Sequence, residues 1–367
     1  MTSTKRWSLI GALAALAVAG VARADGGAVF TIGNDGGGNE VLAFRRGSDG
    51  QLQFAGSFAT GGRGSGGGLG SQGAMVLSKD GELLFAVDAG SNEISSFAVH
   101  GTSPRLVGHV ASGGSRPISL TAHDDLLYVL NAGGAGNITG FTVGEEGALT
   151  PLPGSTRPLS GNATAPAQVE FTPDGEHLVV AEKATDRLDV YKVGEDGRAE
   201  GPVVQVSSGR TPFGFAFGRD GLLVVSEAFG GAAGAGAVSS YAPLGNDETL
   251  RVISASVPDH QGAPCWVVIT KAGHVAFTSN TASGSISAYR IDRDGRLVLL
   301  QRDGIAASTG AGSAPIDMAL SRQSRFLYAL DSGTAAISAF RVRPGGTLEP
   351  VPGVSGLPPA AVGLAAR

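Results

Sequence analysis

Leu83-Leu84-Phe85-Ala86-Val87-Asp88 is an apolar run that ends on an acid, and about ten residues later an aromatic residue, Phe97, follows. The same pattern recurs along the whole chain. Seven copies can be counted, the others beginning at Ala28, Leu127, Leu178, Leu222, Val275 and Leu327. The copies are spaced roughly 45 to 55 residues apart, a period typical of propeller blades or solenoid units.

Each repeat follows the same plan of four short apolar segments. The second segment ends on an acid or amide, and the third ends on an aromatic residue. Many of the turns between them are Asp-Gly pairs, such as Asp80-Gly81, Asp174-Gly175 and Asp196-Gly197. Asp-Gly supplies the positive φ that tight hairpins require. No 3.6-residue period is visible after residue 24, so the sequence predicts an all-β fold, a seven-bladed β-propeller with four antiparallel strands per blade.

The two ends of the chain complement each other. The first repeat starts at its second strand, at Ala28, and has no entry strand before it. The chain ends with an apolar stretch, residues 358–365, that resembles an entry strand with nothing after it. We therefore expect the C-terminal strand to complete the first blade, which closes the ring and leaves no sheet edge there.

The N-terminal 24 residues are typical of an export signal. Lys5 and Arg6 precede an apolar stretch, residues 9–21, and Ala22-Arg23-Ala24 fits the small-x-small cleavage rule. The apolar stretch is short for a membrane anchor, which is the alternative. The sequence thus predicts a signal peptide over 1–24, a single propeller domain over 25–367, and a periplasmic or secreted protein with no membrane attachment after cleavage.

Composition limits the possible partners. The net charge is -5, and no basic stripe is visible, so nucleic acid is not expected as a partner. The hydrophobic content of 42% argues against disorder. The single cysteine, Cys265, permits no internal disulfide. We expect a monomer that binds a small molecule, and the sequence identifies no cofactor.

The acids and amides at the second-strand ends form a predicted ring near one channel mouth. Its members are Asn34, Asp88, Asn131, Glu182, Glu227, Asn280 and Asp331. Carboxylates gathered there can bind a hard cation or act as a general base, although no metal is assigned. The alternative is structural: a feature of every repeat serves to satisfy loop backbone N–H groups. Glu182 and Glu227 are the stronger functional candidates, because Asp and Asn cap turns more readily than Glu.

Other candidate residues fall in the loops on the same predicted face. Arg116 and Arg210 precede inner strands, and guanidinium groups suit carboxylate ligands. His260 and Trp266 flank the entry to the sixth blade, where they can supply a base and a ring for stacking. Two glycine-rich loops, residues 61–70 and 229–237, also belong to this face. We predict a ligand site here that includes Arg116, His260, Trp266, Asn280 and Asp331.

Several stretches resemble a known family. Residues 166–175 (PAQVEFTPDG), 178–182 (LVVAE) and 264–270 (PCWVVIT) look like blades of the lactonase-type seven-bladed propellers, a family that includes 6-phosphogluconolactonases and carboxymuconate cyclases. The chain is also similar to YVTN-type repeats, which are largely binding modules. The lactonase resemblance spans the mature chain and implies a hydrolase of small lactones.

The chain departs from that family at the expected catalytic positions. Ala167 stands where the resemblance implies a His, and Phe213-Gly214 replace an Arg-His pair, whereas Glu227 is kept. The first hypothesis is an exported lactonase-like propeller, a carboxylic ester hydrolase that acts on a lactone or sugar-acid-like ligand. Glu227 would be the base, Arg187 or Arg210 the partner of the carbonyl, and Glu182 a neighbour that tunes Glu227. The alternative is a non-enzymatic binding or scaffold propeller, which the missing His and Arg favour.

Overall fold

The computed structural model describes residues 26–245 and 247–367. Within these ranges, seven antiparallel sheets are arranged as the blades of a propeller, and two 3₁₀ turns occur at Phe229–Gly231 and Pro344–Gly346. The predicted signal peptide, residues 1–24, lies outside the described residues. In the part of the chain that is described, no helix is long and apolar enough to cross a membrane. The seven-bladed all-β prediction is confirmed.

Each blade has four strand positions, numbered outward from the centre. The first two blades hold β1 Gly27–Ile32, β2 Glu40–Arg46 and β3 Leu52–Ala59, then β4 Met75–Leu77, β5 Leu83–Asp88, β6 Glu93–His100 and β7 Ser103–Ala111. Blades 3 and 4 hold β8 Pro117–His123, β9 Leu126–Asn131, β10 Asn137–Val143, β11 Leu149–Pro151 and β12 Arg157–Pro158, then β13 Pro166–Phe171, β14 His177–Glu182, β15 Arg187–Val193 and β16 Ala199–Val206.

The remaining blades repeat the arrangement. Blades 5 and 6 hold β17 Pro212–Phe217, β18 Leu223–Glu227, β19 Ala237–Tyr241 and β20 Val252–Pro258, then β21 Pro264–Ile269, β22 Val275–Asn280, β23 Ser285–Ile291, β24 Leu297–Leu299 and β25 Ala307–Ser308. Blade 7 holds β26 Pro315–Leu320, β27 Phe326–Asp331, β28 Ala336–Val342 and β29 Leu348–Ser355, and the last strand is β30 Val362–Ala366. In blades 3 and 6 the outer position is divided between two short strands.

The inner strands surround a central channel, and the C-terminal strand closes the ring. Strand β30 pairs antiparallel with β1, with Val29 opposite Ala366 and Ile32 opposite Val362. It also packs against β26 of blade 7 and β4 of blade 2. The sheet order of blade 1 is therefore β3-β2-β1-β30, with β30 innermost. The predicted closure by the C-terminal strand is confirmed.

The aromatic residues that mark the repeat lie in the third strands and are buried. The seven are Phe44, Phe97, Phe141, Tyr191, Tyr241, Tyr289 and Phe340, and each is at most 3% exposed. Two of the tyrosines also bond to the outer strand of the preceding blade: the Tyr191 hydroxyl donates to the Pro158 carbonyl of β12 at 2.9 Å, and that of Tyr289 to the Val257 carbonyl of β20 at 3.1 Å. Burial of one such ring contributes about 1.5–3 kcal/mol, so the repeated aromatic fixes how the blades pack.

In five blades, a proline begins the inner strand. The residue before each proline has positive φ, between 46° and 56°; these residues are Arg116, Ala165, Thr211, Ala263 and Ala314. The carbonyl of each accepts the N–H of the residue that follows the second strand, as in Lys183 N–H to the Ala165 oxygen (3.2 Å). A left-handed non-glycine residue costs roughly 1–2 kcal/mol, and the surrounding hydrogen bonds hold it in place. This turn places each second-strand end beside the start of the inner strand at the channel mouth.

Residues 61–73, here called the crossing segment, pass over the channel from blade 1 towards its centre. The Gln72 side chain pairs with the Val267 backbone of blade 6: its Nε2 donates to the Val267 carbonyl at 2.8 Å, and its Oε1 accepts the Val267 N–H at 3.0 Å. The Gln72 N–H donates to the Ala167 carbonyl of blade 4, and the Gly73 carbonyl accepts the Leu120 N–H of blade 3. One short stretch therefore ties together inner strands on opposite sides of the ring.

Deleting residues 360–367 should lower the melting temperature of the whole domain, because it exposes the edge of β1 and removes the inner strand of blade 1. Thermal unfolding followed by circular dichroism measures the change. A synthetic peptide of residues 360–367 added in trans should restore part of the loss. If the truncated chain melts at the same temperature as the full chain, β30 does not hold the ring closed.

Replacing Gln72 with Leu should reduce the free energy of unfolding by about 2–3 kcal/mol, since it leaves both Val267 backbone groups without these partners and also removes a longer hydrogen bond, of 3.4 Å, to the Phe215 carbonyl. Urea unfolding measures the effect. The matched control is Gln53→Leu, a change on an exposed position of β3. Equal urea midpoints for the two variants would show that the cross-channel pair contributes nothing.

Candidate functional site

The ring residues at the second-strand ends point into the blades and not into the channel. Each of the seven is at most 1% exposed. In blades 4 to 7, the ring residue lies opposite the proline that starts the inner strand, as Glu182 opposite Pro166 and Glu227 opposite Pro212 show. Because side chains alternate along a strand, the next residue turns towards the channel mouth. Lys183, Thr281 and Ser332 occupy these following positions.

Glu227 is fully enclosed beneath the loop that enters blade 5. Its carboxylate accepts hydrogen bonds from the Ser239 hydroxyl, from the Ser256 hydroxyl at 2.6 Å, and from the Gly209 N–H. Burial raises the pKa of the Glu227 carboxyl, and these donors partly offset the effect. The arrangement matches the structural alternative considered for the ring, in which the side chain satisfies loop donors. The predicted role of Glu227 as a base stays a prediction.

Glu182 forms a second enclosed cluster, in blade 4. Its two oxygens accept from the Ser160 N–H (3.0 Å) and hydroxyl (2.5 Å) and from the Thr185 hydroxyl (2.5 Å). Asp189 accepts the same Ser160 N–H at 2.9 Å, and burial together with the neighbouring Glu182 raises the pKa of Asp189. Arg187 donates to the Ser160 hydroxyl at 3.2 Å. Glu182 and Arg187 are thus brought together, whereas Glu227 shares none of their hydrogen-bond partners.

The other predicted site residues are dispersed. Arg210 is exposed, and its Nε lies 3.8 Å from an Asp186 oxygen. Asn280 is buried and donates to Ser285 and Ser287, and Asp331 is buried beside Ser338. His260 and Arg116 lie exposed on entry loops, both with positive φ. Within residues 26–245 and 247–367, no group of three or more His, Cys, Asp or Glu side chains is placed to hold a metal ion.

Trp266, by contrast, lines a cavity of about 600 Å³ at the channel mouth. The walls are formed by the crossing segment, by the starts of inner strands and by the chain between Pro359 and Gly363. The Trp266 and Phe213 rings meet with centroids 5.1 Å apart, and Cys265 lies beside them. Burial raises the pKa of the Cys265 thiol to about 11, which keeps it protonated and unreactive. Among the described residues that line this cavity, none is charged.

Lys183 places an ammonium group at the edge of this cavity. Its Nζ donates to the Gly70 carbonyl of the crossing segment and lies 4.5 Å from the centroid of the Phe213 ring. Burial lowers the pKa of Lys183 to about 8, and the Arg116 guanidinium also acts to lower it. Lys183 was not predicted from the sequence, because the repeat pattern marks the acid before it, Glu182, and not the residue that follows. Strand alternation applied to Glu182 would have identified it.

A second cavity, of about 270 Å³, lies deeper in the channel, on the far side of Gln72. Glu170 and Asp317 line it, and burial raises the pKa of Glu170 to about 8. Both carboxylates accept hydrogen bonds from the protein, Glu170 from the Gln168 amide and Asp317 from the Met318 N–H. The crossing segment therefore separates an apolar outer chamber from a polar inner one.

The fold and the mouth cavity define a class: a seven-bladed β-propeller with a half-open, largely apolar chamber at one end of its channel. The model of the family described as lactonase, 7-bladed beta-propeller, matches residues 39–159 and 219–361, which is well over half of the chain. The chain belongs to this family of seven-bladed β-propeller lactonases. The unmatched stretch, residues 160–218, contains Glu182, Lys183 and Phe213.

Solved structures show the same fold at low sequence identity. The periplasmic gluconolactonase of Pseudomonas aeruginosa is 17% identical, with a TM-score of 0.72 over 92% of this chain and 99% of that one. A candidate 6-phosphogluconolactonase from Bacteroides fragilis is 19% identical, with a TM-score of 0.69 over 94% and 98%. A Lactobacillus plantarum protein is 17% identical, with a TM-score of 0.74 over 93% and 99%. No functionally curated protein matches the sequence.

The buried Asp331 should make stability depend on pH. Burial raises the pKa of its carboxyl to about 7, so the folded state binds a proton more tightly than the unfolded state does. The stabilisation that comes from this tighter proton binding is complete below pH ~4 and is lost as the pH rises towards 7. The free energy of unfolding of Asp331→Asn, measured with urea and compared with that of the parent, should therefore be higher at pH 8 than at pH 4. The expected difference is on the order of 1–3 kcal/mol. The exposed change Asp125→Asn is the control, and parallel pH profiles for all three proteins would contradict the assignment.

Proposed function

We propose that this chain is a lactone hydrolase whose substrate binds in the mouth cavity. The observation that carries the proposal is the Lys183 ammonium at the edge of a half-open chamber that has no charged lining. Membership of the lactonase family supports the reaction class. An ammonium group in surroundings of low polarity interacts more strongly with a developing negative charge than it would in water.

The proposed reaction needs a carbonyl partner and an activated water. Water adds to the lactone carbonyl carbon as the base takes its proton, and the carbonyl oxygen becomes an oxyanion. The oxyanion then re-forms the C=O bond as the ring C–O bond breaks, and the leaving ring oxygen takes up the proton held by the base, which gives a hydroxy acid. Lys183 stabilises the oxyanion and then the product carboxylate. The base that takes the proton from water is proposed to be Glu227. Because its carboxylate is covered, residues 207–211 must move before water can reach it.

Three other predicted residues have supporting roles in this proposal: Arg187, Arg210 and Glu182. Glu182 and Arg187 shape the blade 4 loop through Ser160, and Arg210 offers an exposed guanidinium on the adjoining loop. Arg116 contributes positive charge near Lys183, while His260, Asn280 and Asp331 stay predicted members of a wider ligand region. The proposed compartment is the periplasm or the exterior, on the evidence of the N-terminal pattern in residues 1–24.

A second candidate function is ligand binding without catalysis. The observation in its favour is that Ala167, Phe213 and Gly214 replace the polar residues that the resemblance implies, while Glu227 is enclosed. A propeller that has kept its cavity but lost its water-activating group would bind a lactone or the related acid and release it unchanged. The two candidates differ in turnover and agree in the place of binding.

The test is hydrolysis of a panel of sugar, alkyl and aryl lactones by residues 25–367, with the acid released during the reaction measured in a pH-stat. Lys183→Met should lower kcat/KM by about 10²–10³-fold, because it removes the group that stabilises the oxyanion. Lys192→Met, a change at an exposed position of β15, should leave the rate unchanged.

The variant Glu227→Gln should abolish turnover while the protein stays folded, as shown by circular dichroism. Full activity in Glu227→Gln would exclude Glu227 as the base. Absence of turnover of every lactone by the folded parent protein would reject the enzyme and leave the binding function.

A further inference from the structure

We infer that the mouth cavity selects a lactone with a hydrocarbon substituent, alkyl or aryl, and disfavours polyhydroxylated or phosphorylated sugar lactones. This inference rests on the proposed function for the identity of the substrate as a lactone. The chemistry of the cavity wall carries the choice of substituent. The relevant observations are that the wall is largely apolar, that its polar side chains already donate hydrogen bonds to the protein, and that one ammonium group lies at its edge.

The polar side chains of the wall already donate to the protein. Trp266 donates its Nε1–H to the Ser71 carbonyl at 3.0 Å, and the Ser71 hydroxyl donates to the Ile118 carbonyl at 2.7 Å. The hydroxyls of Thr281 and Ser332 donate to the Pro315 and Ala314 carbonyls at 2.8 and 3.0 Å. A sugar ring placed here would lose water from several hydroxyl groups without gaining donors in exchange. Each such unpaired group costs roughly 1–3 kcal/mol.

The charge at the cavity is also too small for a phosphorylated ligand. Sites for phosphate groups combine several cationic or N–H donors around one dianion. Here the cavity lining has no charged residue, and one ammonium, that of Lys183, reaches its edge. A single positive charge matches one oxyanion or one carboxylate. The apolar wall that Trp266 and Phe213 form with Leu69 and Ile316 matches the hydrocarbon part of the same molecule.

The chain carries its own reporter for this cavity. Of the two tryptophans in the sequence, Trp7 lies in the predicted signal peptide, so Trp266 is the one tryptophan of residues 25–367. Ligand binding at the mouth can therefore be followed by intrinsic fluorescence without a label. Phenylacetate is the first probe, because it joins an apolar ring to a carboxylate as the expected product would. Its neutral counterpart is 2-phenylethanol, and gluconate and 6-phosphogluconate represent the polar class.

Phenylacetate should change Trp266 fluorescence in a saturable way, at concentrations at least tenfold lower than either sugar acid requires. In Lys183→Met, binding of phenylacetate should weaken at least tenfold, whereas 2-phenylethanol should bind as before and so show that the cavity is intact. Lys183→Arg should restore most of the phenylacetate binding, and Lys192→Met should bind it like the parent. Tighter binding of gluconate or 6-phosphogluconate, or equal phenylacetate binding by parent and Lys183→Met, would overturn the inference.

The pH dependence of ligand binding tests the role of Lys183 independently. Phenylacetate is ionised throughout the range from pH 7 to pH 10, and Lys183 loses its proton near pH 8. The groups that face Lys183 are the Arg116 guanidinium and Cys265, whose thiol stays mostly neutral because its pKa is about 11. Binding of phenylacetate should therefore weaken progressively above pH 8, and binding of 2-phenylethanol should not. Parallel pH profiles for the two probes would overturn the role of Lys183.

A rate comparison separates failure of this inference from failure of the proposed function. The value of kcat/KM should be at least tenfold higher for γ-phenyl-γ-butyrolactone than for glucono-δ-lactone. Preferential hydrolysis of glucono-δ-lactone would overturn the inference and leave the hydrolase standing. Tight phenylacetate binding without turnover of any lactone would reject the hydrolase and support the inferred ligand chemistry.

Discussion

The pairing of the Gln72 amide with the Val267 backbone is the contact on which the architecture of the channel depends. In a propeller, the channel-facing edge of each inner strand carries N–H and C=O groups that have no neighbouring strand within the blade. The Gln72 amide gives the Val267 N–H an acceptor and the Val267 carbonyl a donor, as a neighbouring strand would. It does so from the opposite side of the ring. Gln168 serves Phe215 in the same way between adjacent blades. The crossing segment can take its path because its glycines adopt positive φ, as at Gly70 and Gly73.

The features that could be predicted from the sequence are those that every repeat has to satisfy. The buried third-strand aromatics, the Asp-Gly turns and the missing entry strand of blade 1 all follow from local chemistry, and the structure contains each of them. At Gly81 and Gly175, for example, φ is +78° and +77°. The ring of acids and amides was also visible in the sequence. Its side chains, however, bond to loop groups and to third-strand serines inside the blades, because a second-strand residue opposite an entry proline faces away from the channel.

The contents of the mouth could not be predicted, because they depend on contacts between distant blades. Lys183 approaches Gly70, which is 113 residues away in the sequence, and Trp266 donates to Ser71, 195 residues away. From the sequence alone, residues 61–70 are expected on the face of the predicted ligand site. The glycine-rich composition of residues 61–73 does not specify a path, however, so the sequence did not show that this segment would form the wall of a cavity. The family model also leaves residues 160–218 unmatched, and Lys183 and Phe213 lie there. Most of the cavity lining, including Trp266, lies within the matched ranges.

The position of β30 also determines when the molecule can become complete. The Thr31 hydroxyl donates to the Val362 carbonyl, a contact between residues 331 positions apart. Six blades can form as the chain is synthesised, but β1 keeps an unpaired edge until residues 362–366 have left the ribosome or, in an exported chain, the translocation pore. Contacts of such long range make folding slow, and an open strand edge invites pairing with other chains. Nascent or translocating molecules should therefore need protection from one another until residues 362–366 have emerged, more than a propeller whose final strand lies at the outer rim.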